Sequence, residues 1–322
     1  MNGFLQEKIR RSFLRARHIL YAPPQPLSFI KGSKMWFYLA HNRALCEKPS
    51  RSEIESQVKP IDPFERPYTP GLFISKLQQD HVLLWNPFNI VPKHLLIATT
   101  NQKEHQEELL TPKTLSVSYQ SLSLLNSLIF YNSGVYSCSS QPHRHLHLIS
   151  LPLIPPELTQ KLDQKSVQTD VFYHPIVQFH KYVMSHYSNS KDMESILLPS
   201  FQLKELPFSN SCCVLPKKNI TPNILFKAYL SCLNQFTSVL DEKKTIRDGD
   251  GSKRVIFGPN ISYHLFISKS WMMVVPRGSV SYQGIGVCPI GFLGAIFLKD
   301  KRQQKIIKKI GPENLLRNLS KL

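Results

Sequence analysis

Apolar positions along the chain alternate between helical and strand periods, and the change of period marks the elements. Phe4, Leu5, Ile9, Phe13 and Leu14 recur at helical spacing among basic side chains, which predicts an N-terminal surface helix. Pro23-Pro24-Gln25-Pro26 predicts a turn, and the polar, proline-punctuated residues 49–70 predict a long connection. Two short apolar runs follow, residues 81–85 and 94–99, separated by Asn86-Pro87-Phe88-Asn89; they read as paired strands. Thr111-Pro112 opens a helix, because threonine caps the first turn and proline suits it. Leu115, Tyr119, Leu122, Leu125 and Ile129 continue that helix as one apolar stripe. Residues 128–131 and 145–151 read as two further strands of the same sheet.

Beyond Pro155-Pro156 a polar, glycine-poor stretch to about residue 192 predicts helix without a motif. A second compact region begins near Leu197, with a helix at 224–240, strands at 263–268 and 272–276, and a last helix at 303–319 interrupted by Gly311-Pro312. The expected fold class is α+β, a mostly antiparallel sheet with flanking helices, organised as regions 1–195 and 196–322. Neither a solenoid repeat nor a Gly-x-Gly-x-x-Gly or Walker loop points to another architecture.

Composition narrows the classes. No window of about eighteen apolar residues reads as a membrane span, and no long apolar stretch follows the basic start, so no secretory signal is expected. The six cysteines form no Cys-x-x-Cys pair; reduced thiols and a cytoplasmic location are the default. The net charge of +18 attracts polyanions: nucleic acid, an anionic membrane, or a small ligand with several phosphates. The run at residues 299–309 reads as a solvated helix face.

The informative segment is Pro142-His143-Arg144-His145-Leu146-His147-Leu148. In a strand, residues two apart share a face, so His143, His145 and His147 align while Leu146 and Leu148 enter the core. Metal ligation is one use of such a row, but a tetrahedral site is awkward to build from one strand, and the motif holds no carboxylate to orient ligands. The other use is nucleophilic attack on phosphorus, with a phosphoramidate as intermediate and the neighbouring imidazoles donating to the phosphoryl oxygens. Asn132-Ser133-Gly134 and Cys138-Ser139-Ser140-Gln141 precede the row, and loops with short side chains and exposed N–H groups cradle phosphate.

These residues resemble the diadenosine tetraphosphate phosphorylases, also called ATP adenylyltransferases, of the histidine triad superfamily. The resemblance extends through Asp62-Pro63-Phe64, residues 86–96, Ser262-Tyr263-His264-Leu265, Lys269-Ser270-Trp271-Met272 and Val275-Pro276-Arg277, in the same order. It implies a histidine-triad-like core in the first region and an ATP adenylyltransferase C-terminal-like second region. His145 matches the nucleophile that takes up the adenylyl group, and His143 the residue whose carbonyl holds that ring's far nitrogen. Lys48, Asn86, Asn132, Cys138, Ser139, Ser140, Gln141, His264 and Lys269 match nucleotide- or phosphate-contacting positions. The implied reaction converts diadenosine tetraphosphate and inorganic phosphate to ATP and ADP, assisted by a divalent cation such as Mg or Mn.

The chain departs from that family at several positions. His147 stands where the phosphorylases have glutamine and the superfamily's hydrolases have histidine, so water competes with phosphate as the expected acceptor. Pro87 replaces a lysine, His264 an asparagine, and Val287-Cys288-Pro289 an asparagine-containing segment. A dinucleoside polyphosphate hydrolase, or a nucleotide-binding protein without turnover, therefore remains open beside the phosphorylase. A nucleic-acid binder ranks last, because no aromatic–basic interleaving accompanies the charge. Oligomeric state is not legible.

Overall fold

The computed structural model describes residues 2–20, 24–33, 35–42, 62–91, 93–153, 199–237, 243–247, 253–257 and 259–322. In chain order these form helix α1 (Asn2–Ala16), strands β1 (Gln25–Lys31), β2 (Trp36–His41), β3 (Phe73–Leu77), β4 (His81–Trp85) and β5 (Leu95–Thr99), helix α2 (Pro112–Ser121), and strands β6 (Ser127–Ser133) and β7 (His145–Ser150). After them come β8 (Ser211–Val214), helix α3 (Pro222–Leu233), β9 (Lys243–Arg247), β10 (Lys253–Phe257), β11 (Ser262–Ile267) and β12 (Trp271–Arg277). The chain ends with β13 (Ser281–Tyr282), β14 (Ile285–Gly286), a 3-10 helix (Pro289–Leu293), β15 (Ala295–Leu298), α4 (Lys301–Ile310) and α5 (Pro312–Leu319).

Among the described residues eight strands make one sheet in the order β3-β4-β5-β7-β6-β11-β12-β8, with every neighbouring pair antiparallel. Region 1–195 supplies five of these strands and region 196–322 three, joined along β6 and β11 (Asn132 opposite His264, Phe130 opposite Phe266). A smaller sheet, β1-β2-β15, also draws on both regions, with β15 parallel to β2. The boundary at 195/196 falls outside the described residues.

One face of the large sheet is apolar along every strand. Leu83, Ile97, Leu146, Leu148, Ile129, Leu265 and Val274 are buried there against Ile9 of α1, Leu115 of α2, and Leu225 and Tyr229 of α3. Threonine caps hold the two inner helices: Thr111 accepts from the Thr114 N–H and Thr221 from the Ile224 N–H, each followed by proline in the first turn. Such caps contribute about 1 kcal/mol each. On the opposite face, β2, β15, the 3-10 helix, α4 and α5 cover Phe130, Phe266, Met273 and Val275. The histidine strand lies at the margin of that cover, where Phe64 closes over Val82, Leu84, Leu96 and Ala98.

Several boundaries differ from expectation. The stripe read from Leu115 to Ile129 leaves the helix at Ser121, because β6 takes Ile129 into the sheet. Helix α3 stops at Leu233 rather than 240. Pro26 belongs to a strand and not to a turn: β1 is an edge strand, and its register shifts between Pro26 and Ser28, where a missing N–H is tolerated. Residues 49–61 and the helix expected before 192 lie outside the described residues.

Candidate active site

Antiparallel registry builds the site as two rows across the sheet. Leu96 of β5 faces His147 of β7, which faces Phe130 of β6. One step along, Ala98 faces His145, while Asn132 of β6 faces His264 of β11. Directly opposed residues share a face, so His145, His147, Asn132 and His264 lie on one side of the sheet. His143 precedes β7 and is held by a bridge to His105. All three histidines of the row are buried, and Leu146 and Leu148 are buried on the far face, as the alternation predicts.

The Nδ1–H of His145 donates to the carbonyl oxygen of His143 at 2.8 Å. That bond fixes the tautomer and leaves the lone pair on Nε2. The His143 ring is itself held: Nδ1 lies 2.6 Å from Asp62 Oδ2 and Nε2 lies 3.0 Å from Thr99 Oγ1. Burial pushes the Asp62 carboxyl up, but the hydrogen bond and charge of His143 and the Phe64 N–H outweigh it and bring it below its ordinary value. Phe64 packs on both rings, 4.8 Å from the His145 centroid and 5.7 Å from that of His143.

A fourth histidine orders the third. Nε2 of His94 lies 2.9 Å from Nδ1 of His147. The Ile90 N–H donates to His94 Nδ1 at 3.3 Å, and the Asn86 amide nitrogen lies 3.3 Å from Nδ1 and 3.2 Å from Nε2 of the same ring. Asn86 Oδ1 accepts from the Phe88 N–H, which fixes the amide so that its nitrogen is the donor. His94 therefore accepts at Nδ1, carries its proton on Nε2 and donates to His147, whose own proton is left on Nε2. The His147 ring stacks on Phe130 with centroids 4.3 Å apart and planes within 10°.

The loop after β6 turns on Gly134, whose φ is +87 and whose absent Cβ would lie 2.7 Å from Ser262 Cα. Ser137 donates to the Gly134 carbonyl at 2.6 Å. Cys138 adopts φ +62, a left-handed conformation that costs a non-glycine residue about 1 kcal/mol. Ser139 is buried and its hydroxyl lies 3.4 Å from the Gln141 carbonyl; Ser140 and Gln141 are half-buried.

Beside the loop, Arg277 is almost wholly buried and donates to His264 Nε2 at 2.7 Å, to the Val287 carbonyl at 2.9 Å and to the Ser279 carbonyl at 2.8 Å. Burial lowers its pKa while Cys138 and Cys288 nearby oppose the shift. Burial first, and the Arg277 charge second, hold His264 well below the ordinary imidazole value of 6.5, so it is neutral with its proton on Nδ1. Among the described residues that Nδ1 and the facing Asn132 Oδ1 are buried without a hydrogen bond. A donor and an acceptor thus stand one strand apart on the face that carries His145.

Of the residues expected from sequence, the structure brings together His143, His145, His147, Asn132 and His264. Cys138, Ser139, Ser140 and Gln141 form the loop that leads into the histidine row. Asn86 lies beside His94, its amide nitrogen reaching that ring. Lys269 is not brought to the histidines: it lies in the turn from β11 to β12, exposed, its carbonyl accepting from Tyr119 of α2. Lys48 lies outside the described residues. Sequence reasoning gave no role to His94, Thr99, Gln106 or Arg277, and met Asp62 and Phe64 only inside the resemblance. Their contacts span 81 residues for Asp62–His143 and 53 for His94–His147, so no local pattern carries them.

Comparison with known proteins identifies the family. Residues 7–165 match the Ap4A phosphorylase N-terminal domain and residues 204–321 the ATP adenylyltransferase C-terminal domain. The chain is similar to Protein APA1 of Saccharomyces cerevisiae, 26% identical over 299 residues, covering 86% of this chain and 80% of that one. It is also similar to diadenosine 5',5'''-P1,P4-tetraphosphate phosphorylase 2 of the same yeast, 25% identical, covering 93% and 88%. Crystal structures of yeast Ap4A phosphorylase Apa2 superpose with a TM-score of 0.68 at 22% identity, covering 98% of this chain and 94% of that one, and 0.69 for the Ap4A complex at 20% identity, covering 98% and 97%. That likeness shows the fold, an α+β architecture built on a mostly antiparallel sheet. With consecutive domain matches running from residue 7 to residue 321, the chain belongs to the Ap4A phosphorylase and ATP adenylyltransferase family.

Proposed function

We propose that this protein is a nucleotidyltransferase that phosphorolyses diadenosine tetraphosphate to ATP and ADP, and runs the reverse adenylyl transfer, through an adenylylated His145. The observation that carries the reading is the 2.8 Å bond from His145 Nδ1–H to the His143 carbonyl, which presents the Nε2 lone pair in a fixed orientation. Nε2 attacks the phosphorus of one adenylyl group, the bond from that phosphorus to the bridging oxygen breaks, and ATP leaves. An oxygen of inorganic phosphate then attacks the same phosphorus, the P–N bond breaks, and ADP leaves with His145 restored. The names of the yeast relatives, one of them solved with Ap4A, support the substrate class.

The other residues have distinct tasks in this reading. His147, protonated on Nε2 through His94, donates to a phosphoryl oxygen as charge develops, which is what the amide of a glutamine offers at the same place. That parallel supports phosphate as acceptor despite the histidine. Asn132 Oδ1 and His264 Nδ1–H contact the nucleotide, and the backbone of Cys138–Gln141 cradles its phosphates. Lys48 is proposed as a cation for the polyphosphate.

Among the described residues no three His, Cys, Asp or Glu side chains are grouped to hold a metal ion, and Asp62 is engaged by His143 and Phe64. A Mg or Mn ion is proposed to arrive with the substrate's polyphosphate, and no step is assigned to it. No described helix is long and apolar enough to cross a membrane.

Labelled inorganic phosphate tests the reaction. Label in ADP establishes phosphorolysis; AMP formed without label establishes the hydrolase, and no turnover on any dinucleotide leaves a binding protein.

A further inference from the structure

The ladder between β6 and β7 stops short of the nucleophile. Its pairs run from Ser127 opposite Ser150 to Phe130 opposite His147, and two steps further in the same register Asn132 would meet His145. Instead the side-chain amide of Gln106 stands between them. Its Nε2 donates to the Asn132 carbonyl at 2.9 Å and to the His145 carbonyl at 3.0 Å, and its Oε1 accepts from the His145 N–H at 2.8 Å. Gln106 is 2% exposed. One buried amide thus serves three backbone groups that direct pairing would otherwise serve, and holds the strands at a wider spacing where the phosphate loop leaves the sheet.

The segment that carries Gln106 is anchored by the immediate neighbours of the residues it joins. Arg144, next to His145, pairs with Glu104 and Glu108 and donates to the Leu109 carbonyl at 3.2 Å. Tyr131, next to Asn132, donates its hydroxyl to the Gln106 carbonyl. The Gln106 N–H donates to the Pro142 carbonyl at 2.6 Å, and His105 bridges His143. A fixed segment makes the amide a rigid spacer.

We infer that Gln106 is a positioning residue: it sets the main chain of His145 and the spread of β6 from β7, and so aims Nε2 at phosphorus. The inference rests on the nucleophilic role proposed above for His145. Both halves of the amide are required. A carboxylate keeps the acceptor for the His145 N–H but turns a second oxygen on two carbonyls, and a thioether supplies no donor and only a weak acceptor. Displacement of a reacting atom by about 1 Å costs on the order of 100-fold in rate.

The test compares Gln106→Glu and Gln106→Met with the wild type. The expected result is a kcat lower by roughly 10- to 100-fold in both, with KM for the dinucleotide changed by less than about threefold. For Gln106→Glu, the ratio of its kcat to that of the wild type rises as pH falls from about 8 to about 5, because the buried carboxyl gains a proton to donate; for Gln106→Met the ratio is flat. That contrast is read within folded protein, so it survives if the thioether variant does not fold. Independently of turnover, imidazole nitrogen NMR shows His145 as the single Nδ1–H tautomer in the wild type and as a mixture in Gln106→Glu at neutral pH. Unchanged kcat, a flat ratio or an unchanged tautomer in Gln106→Glu overturns the inference while wild-type phosphorolysis stands. A wild type without turnover overturns the functional reading instead, and the tautomer measurement alone then decides whether Gln106 holds His145.

Discussion

Nε2 of His94 lies 2.9 Å from Nδ1 of His147, and this contact between two buried imidazoles determines what the third histidine of the row offers. Because His94 accepts at Nδ1 from Ile90, it donates at Nε2, and His147 carries its proton on the remaining nitrogen. Within this arrangement His147 is a donor, as a glutamine amide is. His147→Gln is therefore expected to keep phosphorolysis within about tenfold of wild type. His147→Ala, which removes a donor from the developing charge, is expected to lose about 100- to 1,000-fold in kcat. Steady-state assays with phosphate supplied measure both.

Asp62 acts on the site through His143. Replacing it by asparagine removes the carboxylate that faces His143 Nδ1 but keeps the acceptor for the Phe64 N–H. Because the folded-state pKa of Asp62 lies below its ordinary value of 3.8, its contribution to stability is complete above that value and is lost as pH falls through the folded pKa. Wild type is accordingly expected to melt above Asp62→Asn at pH 7, with the gap closing in acid. Thermal melts across pH 7 to 3 read the difference, and a gap independent of pH contradicts the pairing.

Acid should also act through a histidine that stays neutral. His264 is held well below 6.5 in the fold, so below that pH the unfolded chain binds a proton that the folded chain does not. Stability then falls with pH by up to about 1.4 kcal/mol per unit. His81, likewise lowered, first by burial, contributes in the same direction. In His264→Asn the decline in melting temperature between pH 7 and 5 is expected to be shallower than in wild type.

Gly134 admits no side chain. An alanine there meets Ser262 and must hold φ near +87, so Gly134→Ala is expected to cost about 2 kcal/mol or more, through clash and backbone strain together. The loss should appear in denaturant unfolding, with turnover reduced further because the loop proposed to cradle the phosphates starts at this residue.

How much of this was legible in the sequence follows from the distance over which each feature is specified. The alternation of residues 142–148 placed His145 and His147 on one face and Leu146 and Leu148 in the core, because strand geometry is local. Thr111-Pro112 marked the start of α2 for the same reason. Strands β2 and β15 escaped, since they pair with each other across more than half the chain and neither shows clean alternation. Gln106 and His94 escaped more completely. A glutamine in a turn and a histidine at the head of an apolar run have no pattern of their own; their roles appear only when β5, β6 and β7 lie side by side.

The most direct test of the account is to look for the adenylyl group on the protein. Wild type and His145→Ala are incubated without phosphate with dinucleotide labelled in the adenylyl phosphorus, and the quenched protein is digested and mapped. Label is expected on the peptide carrying His145, absent from the variant, and released as ADP when phosphate is added. Phosphate-dependent ADP formation with no label ever on the protein, or activity retained by His145→Ala, would contradict it.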